Sequence, residues 1–207
     1  MKLSKRLQGI ADLVNENTKI ADVGCDHGLL DIYLTKEKNV KCIAIDNKQS
    51  CLDNAIANIK KYGLDEKIET FLSDGLDKID ISNINTVIIS GMGTSTILDI
   101  IKDKNISHMI IQSNNNLYEL RKNLVKAGYY INNEVVVFEY KYYVIMELKK
   151  GRKKYSNFEL EFGPVLLKNG NKEYFNYLYN KIIEIVKRKK KISLKEKYYI
   201  HKLKKYC

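Results

Sequence analysis

Apolar and polar positions follow two periodicities along the first 150 residues. Short apolar runs predict buried strands at 18–23, 40–45, 67–72, 84–90 and 108–112. The stretches between these runs carry apolar residues at helical spacing and predict helices at 27–37, 48–62, about 95–103 and 116–127. Strands that alternate with helices of this length predict an α/β fold with a mainly parallel, doubly wound sheet.

Turn-forming residues mark the ends of two of these helices. Gly63 and Gly128 stand where a left-handed residue is expected just after a helix. Asn116 and Glu119 have the spacing of an N-terminal cap for the helix at 116–127. The sequence therefore predicts helix boundaries at these positions.

The body ends differently from how it begins. Two further strands are predicted at 131–138 and 142–148, and only three residues separate them. So short a connection cannot hold a crossover helix, so the two strands must be antiparallel. A parallel sheet that finishes in an antiparallel hairpin is typical of the class I methyltransferase variant of the Rossmann fold.

The last 57 residues have a different, helical pattern. A connector holding the only proline, Pro164, precedes a heptad seam from residue 172 on, formed by Phe175, Leu178, Ile182 and Ile185. The residues 193–196 are typical of a capping box, which predicts a second helix carrying Tyr199, Leu203 and Tyr206. This pattern predicts a coiled-coil-like antiparallel helical hairpin, with domains at 1–150 and 151–207.

The net charge of +11 is concentrated in this second domain. Residues 1–150 contain 20 basic and 20 acidic side chains, whereas residues 151–207 contain 16 basic and 5 acidic ones. A neutral body with a basic tail favours a polyanionic partner for the tail. A lysine-rich, solvated helix with no such partner is the alternative reading.

Composition excludes several classes of protein. The four cysteines form no C-x-x-C pair, which predicts reduced thiols in a cytoplasmic protein and no metal site. No apolar run approaches the ~20 residues of a membrane span, and the first residues lack the apolar region of a signal peptide. We expect a monomer without membrane association.

The first candidate site follows the first strand, in residues 22–28. Gly24 and Gly28 form G-x-x-x-G, with Asp22 two positions before the first glycine. A dinucleotide fingerprint would need a third glycine, and an acid at Asp22 would repel two phosphates. The carboxylate suits an ammonium group, so the loop favours S-adenosylmethionine as the ligand.

Acidic residues also follow the second and third strands. Asp46 can accept both hydroxyls of a ribose, although it could equally serve as a helix N-cap. Asp74 with Gly75 can hold an adenine ring, although the pair could be a simple turn. Three acid-bearing loops at one edge of a sheet together favour an S-adenosylmethionine site.

The loop after the fourth strand is a candidate for the substrate side of the site. It reads Ser90-Gly91-Met92-Gly93, in which two glycines beside a pliable Met would open a slot for a flat ring. With Pro164 as its only proline, the chain lacks the Pro-Pro-Tyr box of exocyclic-amino methyltransferases and the Pro-Cys nucleophile of C5-cytosine enzymes. This absence favours a ring nitrogen or a hydroxyl as the methyl acceptor.

These residues resemble the bacterial tRNA (adenine(22)-N1)-methyltransferases, the TrmK family. The similar segments are residues 3–7, 21–27, 91–93, 112–114 with 120–121, and 162–166. The chain departs from the family pattern in three places. It has Gly28-Leu29-Leu30-Asp31 where the family has Ala-Tyr-Leu-Pro, Thr94 where the family has a third glycine, and Ser113 where it has proline.

The resemblance implies methyl transfer from S-adenosylmethionine to N1 of an adenine in the D-loop region of tRNA, with Asp26 as the catalytic carboxylate. The expected cofactor-binding residues are Asp22, Gly24, Asp26, His27, Asp46, Asn47, Asp74, Gly75, Ser90, Gly91 and Met92. The expected substrate-binding residues are His27, Gly93, Gln112, Asn114, Arg121, Lys187, Arg188 and Lys190. A small-molecule or protein methyltransferase, and an inactive RNA-binding module, are the alternative functions.

Overall fold

A computed structural model describes residues 1–189 and 191–207, so Lys190 lies outside the described residues. The chain divides into two compact units, Met1–Lys153 and Lys154–Cys207. The predicted domain boundary lies between residues 150 and 151.

The first unit is built on a seven-stranded sheet of order β3-β2-β1-β4-β5-β7-β6. Its strands are β1 (Lys19–Val23), β2 (Lys41–Asp46), β3 (Ile68–Leu72), β4 (Thr86–Met92), β5 (His108–Ser113), β6 (Tyr129–Phe138) and β7 (Tyr142–Lys150). Strands β1 to β5 pair in parallel, and β7 pairs antiparallel with both β5 and β6. The predicted class I methyltransferase fold is confirmed.

The parallel strands are buried because helices connect them. Residues 20–23, 42–46, 86–89 and 109–113 form nearly continuous buried runs, as expected when both faces of a sheet are covered. The helices of this unit are α1 (Lys5–Asp12), α2 (Leu29–Lys38), α3 (Gln49–Lys61), α4 (Thr94–Ile101) and α5 (Leu117–Lys126). This arrangement brings the loops after β1, β2, β3 and β4 to one edge of the sheet, which we call the carboxyl edge.

Helix α1 was not predicted from the apolar pattern. The Ser4 hydroxyl caps it by accepting a hydrogen bond from the Leu7 N–H at 3.3 Å. A Cβ atom on Gly9 would lie 2.8 Å from Cδ1 of Ile145, so α1 packs closely against the β6–β7 hairpin and a larger residue would have to displace that side chain. This packing fixes the position of Arg6 in the first turn of α1.

The predicted helix ends agree with the structure in most respects. Gly63 and Gly128 follow α3 and α5 with φ values of +65° and +89°, as a left-handed C-terminal residue requires. Asn116 occupies the N-cap position of α5, but its side chain makes no capping hydrogen bond because its backbone is left-handed, with φ +46°. The predicted side-chain cap at Asn116 is therefore wrong.

The second unit contains more helix than the sequence pattern predicts. It comprises α6 (Asn157–Phe162), α7 (Pro164–Asn169), α8 (Lys172–Lys187), α9 (Leu194–Leu203) and a short 3-10 helix (Lys204–Tyr206). The predicted connector thus forms two helices, and Ser156 begins the first of them with a capping box. The predicted capping box at Ser193 and Glu196 is confirmed.

An aromatic cluster forms the core of this second unit. Tyr199 lies 5.6 Å from Phe158 and 5.4 Å from Phe162 between ring centroids, in edge-to-face geometry. The predicted heptad seam is wrong at Ile185, which is 49% exposed, because the neighbouring Val186 takes the buried position. Tyr199 is therefore a core residue, whereas the adjacent Tyr198 is exposed.

Candidate active site

Two adjoining cavities lie at the carboxyl edge of the sheet. The first has a volume of about 310 Å³ and is lined by residues that include Arg6, Asp22, Asp26, His27 and Ser90; we call it the Asp22 cavity. The second has a volume of about 210 Å³ and is lined by residues that include Asp46, Asn47, Asp74 and Gly75; we call it the Asp46 cavity. Gly24 and Met92 line both cavities, so the two cavities lie next to each other.

The loop after β1 approaches both cavities with its backbone. Gly24 has φ +82°, and its N–H donates to the carbonyl oxygen of Ile45 at 2.8 Å. A Cβ atom at this position would lie 2.4 Å from Cε of Met92. The left-handed backbone favours glycine, and a side chain here would have to displace the end of Met92.

Asp22 brings a carboxyl group to the wall of the Asp22 cavity. It is only 4% exposed, and this burial raises its pKa to about 7. The neighbouring side chain of Asp31 and the positive charge of Arg6 oppose the increase, whereas the charge of Asp46 adds to it. The carboxyl group is therefore poised to ionise when a cation binds beside it.

Asp26 presents its carboxylate to the same cavity. Its backbone is left-handed, with φ +52°, a conformation that Asp tolerates better than most residues. The side chain is exposed, and one carboxylate oxygen lies 3.7 Å from Nε2 of His27. Within the described residues no backbone N–H donates to this carboxylate, so the side chain of Asp26 does not cap the turn.

Asp46 joins the loops after β1 and β2. One of its carboxylate oxygens accepts a hydrogen bond from the Lys48 N–H at 2.9 Å, and the other accepts from the Asp26 N–H at 3.3 Å. The N-cap residue of α3 is Lys48, so Asp46 is not the cap of that helix. Each carboxylate oxygen retains a second lone pair that can accept a further hydrogen bond.

Gly75 closes the far side of the Asp46 cavity. Its φ of +55° is left-handed, and a Cβ atom there would lie 3.0 Å from Cγ1 of Ile100. The neighbouring Asp74 lines the cavity and is exposed. A turn is present here, as one reading of the sequence expected, and it also forms part of the cavity.

The loop after β4 is held in place by polar side chains. The Gln112 side-chain oxygen accepts hydrogen bonds from the Gly91 N–H at 3.1 Å and from Nη1 of Arg6 at 3.2 Å. The Asn114 side chain donates to the Gly91 carbonyl oxygen at 2.7 Å. Gln112 is completely buried, so in this structure it positions the loop, and Gly93 serves as the N-cap residue of α4.

Two departures from the TrmK pattern contact each other. The hydroxyl oxygens of Thr94 and Ser113 lie 3.0 Å apart, and both side chains are buried. The Thr94 hydroxyl also donates to the Asn115 carbonyl oxygen at 2.7 Å. The two hydroxyls thus provide a polar link between the loops after β4 and β5.

The remaining expected substrate residues are Arg121 in the first unit and Lys187, Arg188 and Lys190 in the second. Arg121 is completely buried, and its Nε donates to a carboxylate oxygen of Glu134 at 2.8 Å. In this position Arg121 supports the packing of α5 against β6 and has no surface for RNA. Lys187 and Arg188 are exposed at the end of α8, and Lys190 lies outside the described residues.

Sequence reasoning missed Arg6 and Asp31 as site residues. The guanidinium of Arg6 lines the Asp22 cavity and donates to the Ser90 hydroxyl at 3.3 Å. Asp31 is completely buried next to Asp22. The signal for Asp31 was an acidic residue on the buried face of α2, and the signal for Arg6 was its place in the segment 3–7 that resembles the family.

Comparison with known proteins places this fold and site in a family. Residues 3–146 match the family described as "Methyltransferase domain". The Mycoplasma genitalium protein named "Putative tRNA methyltransferase MG248" is 34% identical over 203 residues, which are 93% of this chain and 91% of the relative. The structure of M. capricolum TrmK is 36% identical with a TM-score of 0.86, covering 100% of this chain and 98% of that chain. The chain belongs to the TrmK family.

A third TrmK relative carries a specific activity in its name. The tRNA (adenine(22)-N(1))-methyltransferase of Bacillus subtilis is 32% identical over 145 residues, which are 67% of this chain and 61% of the relative. The M. capricolum TrmK structure contains S-adenosyl-homocysteine, described as the natural cofactor product.

The donor set of this TrmK chain fits such a ligand. The Asp46 cavity offers carboxylates and a glycine-lined slot, and the Asp22 cavity offers a carboxyl and a guanidinium side by side.

In the part of the chain that the structure describes, no cluster of His, Cys, Asp and Glu side chains could hold a metal ion. Among the same residues, no helix has the length and apolar character to cross a membrane.

Proposed function

We propose that this chain transfers a methyl group from S-adenosylmethionine to N1 of adenine 22 in tRNA. The observation that carries the proposal is the pair of adjoining cavities, in which acids suited to an adenosine stand beside the exposed carboxylate of Asp26. Membership of the TrmK family supports the choice of substrate.

The two cavities divide the binding of the cofactor between them. In the Asp46 cavity, Asp46 and Asn47 would accept hydrogen bonds from the ribose hydroxyls, and Asp74 with Gly75 would hold the adenine. In the Asp22 cavity, Asp22 would face the ammonium group of the methionine end, and Arg6 would face its carboxylate. Bound there, the cofactor would supply a methyl group on a positively charged sulfur.

Asp26 has the properties required of the catalytic carboxylate. Methylation at N1 places positive charge on the adenine ring, and a nearby carboxylate stabilises that charge and can accept a proton from the amino group. Asp26 lines the Asp22 cavity, and its side chain is exposed. His27, 3.7 Å from Asp26, forms part of the same wall and would contact the cofactor or the substrate base.

The second unit would provide a separate binding surface for the RNA. An adenine within folded tRNA must be flipped out of its stack, at a cost of a few kcal/mol, before its N1 can react. Lys187 and Arg188 are exposed for phosphate contacts, and Tyr198 is exposed for stacking. Tyr199 is excluded from such a role by its place in the aromatic core.

The test is transfer of labelled methyl groups from S-adenosylmethionine to unmodified tRNA, followed by nucleoside analysis. We expect 1-methyladenosine at position 22, and no label in tRNA whose adenine 22 is replaced by guanine. Asp26→Asn should lose at least 100-fold in rate and retain binding of S-adenosylhomocysteine, whereas Asp65→Asn, an exposed acid away from the cavities, should behave as the wild type. Failure of the wild-type protein to label tRNA would overturn the proposal.

A further inference from the structure

The turn between β6 and β7 exposes a cluster of aromatic side chains. We call residues 138–143 the hairpin tip. Tyr140 is 73% exposed and Phe138 is 51% exposed. The Phe138 and Tyr142 rings are 4.9 Å apart between centroids, and the Tyr140 and Tyr143 rings meet edge to face at 5.5 Å. Two large rings therefore face solvent on a hairpin whose other aromatic residues support them.

The register of the sheet places the hairpin tip at the carboxyl edge. Gln112, near the end of β5, pairs with Ile145 of β7. Tyr142 precedes Ile145 by three residues, so β7 begins roughly 10 Å beyond the level of Gln112. Because Gln112 bonds to the loop that lines the Asp22 cavity, the hairpin tip projects from the same edge as that cavity.

Helix α1 connects the hairpin tip to the cavity. The carboxylate of Glu139 accepts a hydrogen bond from the Lys5 N–H at 2.9 Å. The guanidinium carbon of Arg6, which lines the Asp22 cavity, lies 5.9 Å from the ring centroid of Tyr143. The close packing of α1 at Gly9 against Ile145 holds both contacts in place. The hairpin tip is therefore braced next to the site of reaction.

The side chains of the hairpin tip are suited to bind an unstacked nucleotide. Nζ of Lys141 lies 5.0 Å from the ring centroid of the buried Tyr143, whose ring in turn meets that of the exposed Tyr140 edge to face, so a cation lies within the hairpin tip. Glu139, the carboxylate within the hairpin tip, is engaged by the N-terminus of α1. Aromatic faces beside a lysine are the combination by which proteins hold single-stranded bases and their phosphates. A surface of two rings also has the size of one or two bases and is far smaller than a stable protein interface.

We propose that the hairpin tip is a stacking platform for unpaired tRNA bases that flank the target adenine, with Lys141 contacting an adjacent phosphate. This inference rests on the proposed function, because it requires an RNA substrate. Flipping the target base leaves its neighbours partly unstacked, and Tyr140 and Phe138 restore a stacking partner to them. The platform would thus lower the cost of exposing the adenine to Asp26.

The test compares Tyr140→Ala with Tyr140→Phe in the full-length protein. Loss of one stacked base should weaken tRNA affinity between about 5-fold and 100-fold. We expect that loss for Tyr140→Ala and an affinity within 2-fold of the wild type for Tyr140→Phe, which keeps the ring. Binding of S-adenosylhomocysteine should be unchanged in both variants and shows that the cavities are intact.

Two controls separate stacking from charge and from general damage. Tyr62→Ala removes another exposed tyrosine, which follows α3 and lies at the opposite edge of the sheet, and should leave tRNA affinity unchanged. Lys141→Gln should reduce the salt dependence of tRNA binding by about one counterion, whereas Tyr140→Ala should leave that salt dependence unchanged.

The outcomes distinguish this inference from the proposed function. If the wild-type protein does not methylate tRNA, the proposed function is refuted, and the inference that rests on it is refuted as well. If it does, and Tyr140→Ala binds tRNA as tightly as the wild type, the stacking platform is refuted while the function stands. Equal losses in Tyr140→Ala and Tyr140→Phe would assign the effect to the hydroxyl and would also refute stacking.

Discussion

Asp22 and Asp31 place two buried carboxyl groups next to each other. Asp31 is completely buried, and among the described residues neither of its carboxyl oxygens has a hydrogen-bond partner. Two neighbouring buried carboxyls repel each other when both are ionised, and a proton on one of them removes that repulsion. Burial raises the pKa of both groups, that of Asp22 to about 7, so the pair retains a proton near neutral pH next to the Asp22 cavity.

The protonated pair predicts that Asp31→Asn stabilises the protein at high pH. A raised carboxyl pKa means that the folded state binds a proton more tightly than the unfolded state, whose carboxyls titrate near 3.8. For Asp22 the resulting destabilisation is absent below pH 3.8, grows as the pH rises and is complete above about pH 7, and the raised pKa of Asp31 acts in the same direction. Asparagine stays neutral without taking up a proton and can donate to Asp22, so we expect the variant to be more stable than the wild type at pH 8.

Urea denaturation at pH 5 and pH 8 measures this effect. The gain in stability from Asp31→Asn should be smaller at pH 5 than at pH 8, because the destabilisation of the wild type grows as the pH rises. Asp53→Asn, which changes an exposed acid on α3, should show no such pH-dependent gain. An Asp31→Asn variant that is less stable than the wild type at pH 8 would contradict the shared proton.

The affinity for the cofactor should depend on pH through Asp22. Its carboxyl must be ionised to pair with an ammonium group, and its pKa in the free protein is about 7. Binding should therefore weaken as the pH falls below 7, by up to about tenfold for each further unit. Calorimetric titration with S-adenosylhomocysteine between pH 5.5 and 8.5 measures the profile.

Asp22→Asn provides the control for this profile. The variant should bind S-adenosylhomocysteine more weakly at pH 8 and should lose the dependence on pH. The charge of Arg6 lowers the pKa of Asp22, and the charge of Asp46 raises it. An Asp22→Asn variant that keeps the wild-type pH profile would assign the titration to another group.

Gly24→Ala should weaken cofactor binding through displacement of Met92 as well as strain. The alanine Cβ would lie 2.4 Å from Cε of Met92, which lines both cavities and would have to move, in a backbone with φ +82°. We expect a loss of affinity of at least tenfold and a stability cost of roughly 1–2 kcal/mol from the left-handed backbone. Calorimetry and thermal unfolding measure the two effects.

Gly63→Ala is the matched control for Gly24→Ala. Gly63 has a similarly left-handed φ of +65°, but a Cβ atom there would meet no atom within 4 Å. The variant should therefore show the stability cost alone and bind the cofactor normally. Equal effects of the two substitutions on affinity would show that strain, and not the contact with Met92, is responsible.

The second unit should contribute to tRNA binding through charge. Lys187→Gln with Arg188→Gln removes two exposed cations and leaves the ion pair of Lys189 with Glu196 intact. If both cations contact phosphates, the slope of log affinity against log salt should fall by about 2. Filter binding at several salt concentrations measures this slope.

The control for the charge effect lies in the neutral body. Lys60→Gln with Lys61→Gln makes the same change of charge at exposed positions of α3 and should leave the slope unchanged. Substitution is preferable to removal of residues 171–207, because that cut would separate Phe175 and Tyr199 from the aromatic core of the second unit. Equal slopes for both double variants would exclude a specific role for Lys187 and Arg188.

The sequence by itself determined the architecture and the acid-bearing loops. Strand and helix periodicities are local properties, so β1 to β7 and α2 to α5 were predicted within a few residues. The parallel order of the strands then required Asp22, Asp46 and Asp74 to meet at one edge. Gly24 and Gly75 were recognisable because left-handed positions favour one residue type.

Only the tertiary structure decided which side chains complete the site. Arg6 reaches the Asp22 cavity because α1 packs on the β6–β7 hairpin, a contact between residues more than 130 positions apart. The same packing places the hairpin tip at the carboxyl edge. The structure also shows that Asp31 is buried beside Asp22 and that Arg121 is buried beside Glu134. Local periodicity shows which face of an element is apolar, but which residue meets it depends on non-local packing.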